Sequence, residues 1–309
     1  MSKKASWEGK SRGGAIGYRI FLFFLKYAGL SSAYVILYVV AGWYLVFARK
    51  STRASYFYFR HVHGFPPLKS IRYCYKSYYK FGQTLIDKVA ILGGFSNKFT
   101  FYFDGEHYLR QLSEEGRGAL LISAHIGNWE IAGHLLKKLN TPVNVVLYDG
   151  EDQGIKEVLE DAIKNRQFNI ISVKNDFSHL LDMHNALQNK EFICIHGDRY
   201  LKNSNQKTYR TTFMGRYASF PLGPFELAVR FKVPYTFVFS VKETNTHYHF
   251  YATPGHIAHD NPEKVIDAYL RSLEKILRLY PEQWFNYYDF WEDSSPALTT
   301  SAATIPTEK

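Results

Sequence analysis

"GALLISAHIGNWEIAGHLLKKL", residues 118–139, opens on a short apolar run and closes on apolar residues at helical spacing, Ile131, Leu135, Leu136 and Leu139. The run from Gly118 to Ser123 has the length of a buried strand. A strand followed within a few residues by a helix is the unit from which α/β proteins are built. His125 then stands at the carboxyl end of the strand, where open α/β sheets bind their ligands. Gly127 permits a tight turn, and Asn128 suits a helix N-cap. Glu130 falls in the first helical turn, where a carboxylate complements the helix dipole. From there it is within reach of one imidazole nitrogen, which leaves the other to accept a proton. This is the pattern of a general base with its orienting carboxylate. A satisfied structural His–Glu pair would carry the same letters.

The alternation continues on both sides of this stretch. Strands are expected at 99–105, 143–148, 168–173 and 191–198, with helices at 128–139, 153–166 and 176–189. Residues 234–243 and 247–255 read as a strand pair, and 262–280 as an amphipathic helix. Residues 70–95 have the spacing of a helix with an aromatic face, closed by Gly93 and Gly94. The fold class expected is α/β, a largely parallel central sheet flanked by helices, with an N-terminal membrane-associated helix. No internal repeat is present. From Ser294 the chain has no apolar pattern and reads as a disordered tail. The expected organisation is a basic start and anchor helix over 1–60, an α/β domain over 61–293 and the tail over 294–309.

The charge is unevenly spread. Residues 1–80 hold 14 Lys/Arg and one acidic residue, Glu8, whereas 81–309 hold 24 Lys/Arg and 27 Asp/Glu. The first quarter therefore carries the whole basic excess, which points to an anionic surface, lipid or nucleic acid. "YAGLSSAYVILYVVAGWYLVF", residues 27–47, has no charge over 21 residues. As a helix it would be about 30 Å long, near the thickness of a bilayer core. That favours membrane phospholipid and argues against nucleic acid. Lys10, Arg12, Arg19 and Lys26 precede it and Arg49, Lys50, Arg53 and Arg60 follow, so the charges leave spanning and in-plane arrangements both open. The two cysteines, Cys74 and Cys194, lack metal-ligand spacing, which argues against a zinc site and a disulfide framework. No metal is expected.

The His125–Glu130 stretch resembles the HX4(D/E) signature of the lysophospholipid acyltransferase superfamily. The chain is similar, over roughly residues 5–292, to its lipid A late acyltransferase (HtrB/LpxL-like) branch. The resemblance includes "HGDR" (196–199), "FMGRYASFPLGPFELAVRFKVP" (213–234) and the Pro-x-x-Trp of "PEQWFNYYDFW" (281–291). It implies a bacterial inner-membrane O-acyltransferase with a cytoplasmic active site. The fatty acyl chain would come from an acyl thioester, typically on acyl carrier protein, and go to a hydroxyl of a lipid acceptor. His125 would be the base and Glu130 its orienter, and no cofactor is implied. One departure concerns the acceptor. Family members continue the Trp block into His and an Arg-rich stretch, but here it reads "WFNYYDFW". A lipid A precursor, a glycerophospholipid, a pigment and an aminoacyl lipid all stay open as acceptors. A non-catalytic membrane-surface binding protein of the same fold is the rival from another class.

Further candidates for substrate binding are Asn128, Asp198, Arg199, Gly215 and Pro224. Asn128 is a donor for a thioester carbonyl. Asp198 and Arg199 stand at a second strand end, where a guanidinium fork suits a phosphate. Gly215 precedes "SFPLGP" (219–224), in which Pro221, Gly223 and Pro224 read as a rigid loop lining the acyl pocket or as turn structure alone. His196 reads as a core residue.

Overall fold

The computed structural model describes residues 15–92, 96–128, 131, 141–148, 168–173, 178–200, 206–258 and 261–291. Nearly all of the helix expected over 128–139, including Glu130, lies outside these residues. So do the helix expected over 153–166, the basic start before Ala15 and the tail from Ser294.

Among the described residues, eight strands form one sheet: β1 (Thr100–Asp104), β2 (Ala119–Ser123), β3 (Val143–Tyr148), β4 (Asn169–Val173), β5 (Phe192–His196), β8 (Pro234–Lys242), β9 (His247–Ala252) and β10 (His256–Ile257). The order is β1-β9-β8-β2-β5-β3-β4, with β10 added to β8. Every pair is parallel except β8 with β9 and β10 with β8. The fold is therefore α/β with a mostly parallel sheet. The antiparallel β8–β9 pair is the one expected from the residues on either side of "TNT".

β2 lies in the middle of the sheet and all five of its residues are buried. Successive side chains point to opposite faces. Leu120 and Ile122 enter one core, and Ala119 and Leu121 enter the other. This two-sided burial explains the uninterrupted apolar run, which is usual for a parallel strand covered on both faces.

The α-helices among the described residues are α1 (Ala15–Phe47), α2 (Arg49–Phe57), α3 (Pro67–Leu92), α4 (Glu106–Glu115), α5 (Ser178–Gln188), α6 (Gly223–Phe231) and α7 (Pro262–Leu279). α7 shows how sequence sets an element. The Asn261 side chain accepts from the Glu263 N–H at 2.8 Å, and Pro262 opens the first turn. Val265, Ile266, Tyr269, Leu270, Leu273, Ile276 and Leu277 then bury one stripe. Each such burial stabilises by about 1.5–3 kcal/mol. Tyr269 packs on Phe225 of α6 and on Phe237 of β8, which fixes both helices to the face carrying Leu120 and Ile122.

Two features depart from the sequence reading. The first is a hairpin of β6 (Thr208–Phe213) and β7 (Arg216–Pro221), in a stretch to which the sequence reading gave no strand. Its turn residues Met214 and Gly215 have φ of 51° and 80°, the paired positive values that two-residue hairpins adopt. Pro221 ends β7, and Gly223 and Pro224 begin α6. The second departure is in α1. Gly29 has φ 79° and ψ 177°, outside helical values, so the continuous apolar helix is Gly29–Phe47 and not 27–47. That segment has the length and composition of a membrane span. Its Leu30, Ala33, Tyr34, Leu37 and Ala41 share a core with residues of α3.

Candidate active site

The end of β2 is shaped by bonds that stop the strand. The Ser123 carbonyl accepts from the Gly197 N–H and the Tyr269 hydroxyl, each at 2.9 Å. The chain then turns tightly, with the Ile126 N–H on the Ala124 carbonyl at 2.7 Å and His125 at the apex. A segment near the C-terminus holds the turn from outside. The Phe285 N–H donates to the His125 carbonyl at 3.0 Å, and the Gly127 N–H to the Gln283 carbonyl at 2.9 Å. Gly127 has φ +55°, and a Cβ there would lie 1.7 Å from the Ser240 carbonyl oxygen. Only glycine lets β8 approach this closely.

The carboxylate found on the His125 ring is that of Asp198. The two strands explain why. β2 and β5 pair in parallel with Ser123 opposite His196, so His125 and Asp198 each stand two residues past the same rung. Nδ1 of His125 meets Oδ1 of Asp198 at 2.7 Å, and the His125 backbone N–H donates to Oδ2 at 3.0 Å. Oδ2 also accepts from the Trp284 indole N–H at 3.0 Å and from the Asn286 amide at 3.5 Å. Asp198 is fully buried, whereas the His125 side chain keeps 26% of its surface exposed. The ring is thus gripped on one edge and accessible elsewhere, with Nε2 as the nitrogen able to take a proton.

Charge follows geometry. Burial alone would push the Asp198 carboxyl up. The His125 ring, by charge and hydrogen bond, and the Arg199 guanidinium outweigh burial and hold it well below the usual carboxylate range. Burial lowers His125 below its ordinary value, Arg199 adds to this, and Asp198 opposes both. A neutral imidazole beside an ionised carboxylate is the form that accepts a proton. His196 is pushed further down, by burial and by the charge of His125. Its ring lies 4.2 Å from that of His125.

His196 also lines an apolar cavity, partly open to solvent, on the sheet face opposite α6 and α7. Leu121, Val145, Cys194, Val238 and Phe250 form its walls, and Ser123, His196 and Ser240 its end nearest His125. Burial pushes the Cys194 thiol up to about 12, so it lines the cavity as a neutral group and is no nucleophile.

The other residues singled out in the sequence fall in different places. Arg199 directs Nε to the Asn286 side-chain oxygen at 2.5 Å and one terminal nitrogen to the Phe285 carbonyl at 2.7 Å. A two-pronged phosphate contact would have to replace these bonds. Asn128 is buried and donates its side-chain amide to the Thr84 carbonyl of α3 at 2.9 Å, while its backbone carbonyl accepts from the Ser240 hydroxyl. Gly215 occupies the hairpin tip, and Pro224 is buried in the first turn of α6. Neither lines the cavity among its described walls. Trp284 stood out only as the Trp of the Pro-x-x-Trp, and Gln283 and Asn286 were not singled out. The signal was the aromatic block they belong to, and its aromatics pack inward, Trp284, Phe290 and Trp291 all being buried.

No curated protein matches the chain. A family model, bacterial lipid A biosynthesis acyltransferase, matches residues 76–291, which include β2, the His125 turn, Asp198 and the segment 283–286. The chain belongs to that family of acyltransferases.

Proposed function

We propose that the protein is a membrane-bound O-acyltransferase that moves a fatty acyl chain from the thioester of acyl carrier protein to a hydroxyl of a lipid or lipid-like acceptor. The observation that carries this reading is the His125 ring held through Nδ1 by a buried, ionised Asp198, beside an apolar cavity. Nε2 of His125 takes the acceptor's hydroxyl proton as its oxygen attacks the thioester carbonyl. The C–S bond breaks, and the departing sulfur recovers the proton from the imidazolium. Asp198 stabilises that imidazolium and fixes the tautomer. Glu130, five positions after His125, is the second carboxylate that the HX4E pattern supplies. The acyl chain occupies the cavity, with its carbonyl at the Ser123–His196 end. The enzyme works at the bacterial inner membrane with this site on the cytoplasmic side, where acyl carrier protein is found. The acceptor is set no more narrowly than a hydroxyl-bearing lipid, because residues 284–291 lack the basic groups that a multiply phosphorylated acceptor invites.

The test is lipid mass spectrometry of a strain lacking the gene. One lipid class should lose one acyl chain, and wild-type protein but not the Asp198→Asn variant should restore it. An unchanged lipid profile, together with no transfer in vitro from acyl carrier protein to extracted lipid, would overturn the reading.

A further inference from the structure

The geometry points to a protein that lies on a single leaflet, with α1 in the plane of the membrane and not across it. This rests on the membrane-bound part of the proposed function, but not on its chemistry.

The break at Gly29 divides α1 in two. The first part, residues 15–28, would be only about 21 Å long, against about 30 Å of hydrocarbon, and its sequence includes Arg19 and Lys26. The second part is long and apolar enough to span, but it is pinned along α3 in antiparallel fashion. Tyr34 hydrogen-bonds Asp87, Tyr38 stacks on Tyr79, and the Tyr75 hydroxyl donates to the Tyr38 carbonyl. α3 carries Lys69, Arg72, Lys76, Lys80, Asp87 and Lys88 along its length. A bilayer crossed by the second half of α1 would have to take in α3 and those charges as well, which hydrocarbon does not accept.

The face of α1 turned away from α3 is apolar and open. Val35, Val39, Trp43, Val46 and Phe47 are exposed there, Val39 to 76%. Their spacing of three to four residues makes a single stripe. Leu68, 82% exposed, and Ile71 extend it, since they share the stripe of α3 that leads to Tyr75 beside Gly42. Exposed Arg49, Lys50, Arg53, Lys69 and Arg72 flank this surface, and no acidic residue occurs between Glu8 and Asp87. An apolar stripe bordered by cations alone fits an anionic phospholipid surface. The opposite side of α3 meets the site segment, through Thr84 with Asn128, Lys76 with Glu282 and Ser77 with Tyr287. The leaflet would therefore lie on the side of α3 away from His125, with α1 between them.

Two measurements on the full-length protein test this. In flotation with vesicles of phosphatidylglycerol and phosphatidylethanolamine, Val39→Glu/Val46→Glu and Leu68→Glu/Ile71→Glu should each lower the bound fraction at least tenfold, with unchanged melting temperature. His125→Ala should bind as wild type does, which separates docking from chemistry. In inverted membrane vesicles, tags at the two termini should react with an impermeant reagent on the same side. Glu variants that bind like wild type, or termini on opposite sides, would overturn the in-plane arrangement and leave the enzymatic reading standing. Wild-type protein that fails to bind the vesicles would overturn the membrane part of both.

Discussion

One oxygen of Asp198 accepts three N–H groups, from His125, Trp284 and Asn286, while the other holds the His125 ring. Such a carboxylate is built to stay ionised and fixed. Asp198→Asn keeps its shape but removes the charge that stabilises the imidazolium, so kcat should fall by about 10²-fold or more. Because Asp198 raises the His125 pKa, the asparagine variant should also move the acid limb of the pH–rate profile to lower pH. In the wild type that limb already lies below the ordinary histidine value, since burial depresses His125, and activity should rise as pH climbs through it. Trp284→Phe removes one donor from a buried anion, an interaction worth about 1.5–3 kcal/mol. It should cost about tenfold in kcat and move the limb upward, because a carboxylate with fewer donors attracts the proton on His125 more strongly. A pH profile that moves in neither variant would remove Asp198 from its role. Gly127→Ala should abolish activity and lower the melting temperature, because its Cβ would strike the Ser240 carbonyl. An active, stable alanine variant would show that the turn does not depend on this close approach.

At the scale of elements, α1, α3 and the β8–β9 pair meet at a buried polar cluster. Lys242 is ion-paired with Asp87, which also accepts from Tyr34 and Tyr248. Both charged side chains are fully buried. Asp87→Ala strands the ammonium, and should destabilise the fold by about 3–5 kcal/mol. Asp87→Leu with Lys242→Met should recover much of that loss in chemical denaturation. If the double variant is no better than the single, the pair is not the source of the effect. Lys242 also exchanges backbone bonds with the Gln283 side chain, and the Gln283 carbonyl holds Gly127. Helix α1 is thus joined to the His125 turn by continuous contacts. This cluster was not legible in the sequence, because Asp87 and Lys242 come from distant segments. The strands were legible, since β3 is a β-branched run whose ends match its reading at 143–148. The β6–β7 hairpin was not legible, because its strands show no clear apolar alternation, and the structure pairs them from Thr208 opposite Pro221 to Phe213 opposite Arg216 and packs Phe213 and Ala218 against Trp284 and Trp291. The His125–Asp198 pair was hidden for a related reason. It depends on which strands adjoin and in which register, although both strand ends, "SAHIG" and "IHGDR", carried the mark of a polar turn after an apolar run.

The whole molecule divides its labour between two sides of α3. One side receives the apolar, cation-flanked helix α1, and the other the turn that carries His125. Apolar burial is not screened by salt, so 1 M salt should leave the protein on the membrane, while removal of residues 1–50 should release much of it. A truncated protein that resists carbonate washing would place the anchor elsewhere. The central claim concerns His125 itself, and its most direct test is acyl transfer from acyl carrier protein by His125→Ala, normalised to folded protein by circular dichroism. The account predicts a folded, membrane-bound variant whose kcat is lower by about 10²–10⁴-fold, and in which adding Asp198→Asn reduces activity scarcely further. A folded His125→Ala protein that still transfers acyl chains at a near-normal rate would contradict it.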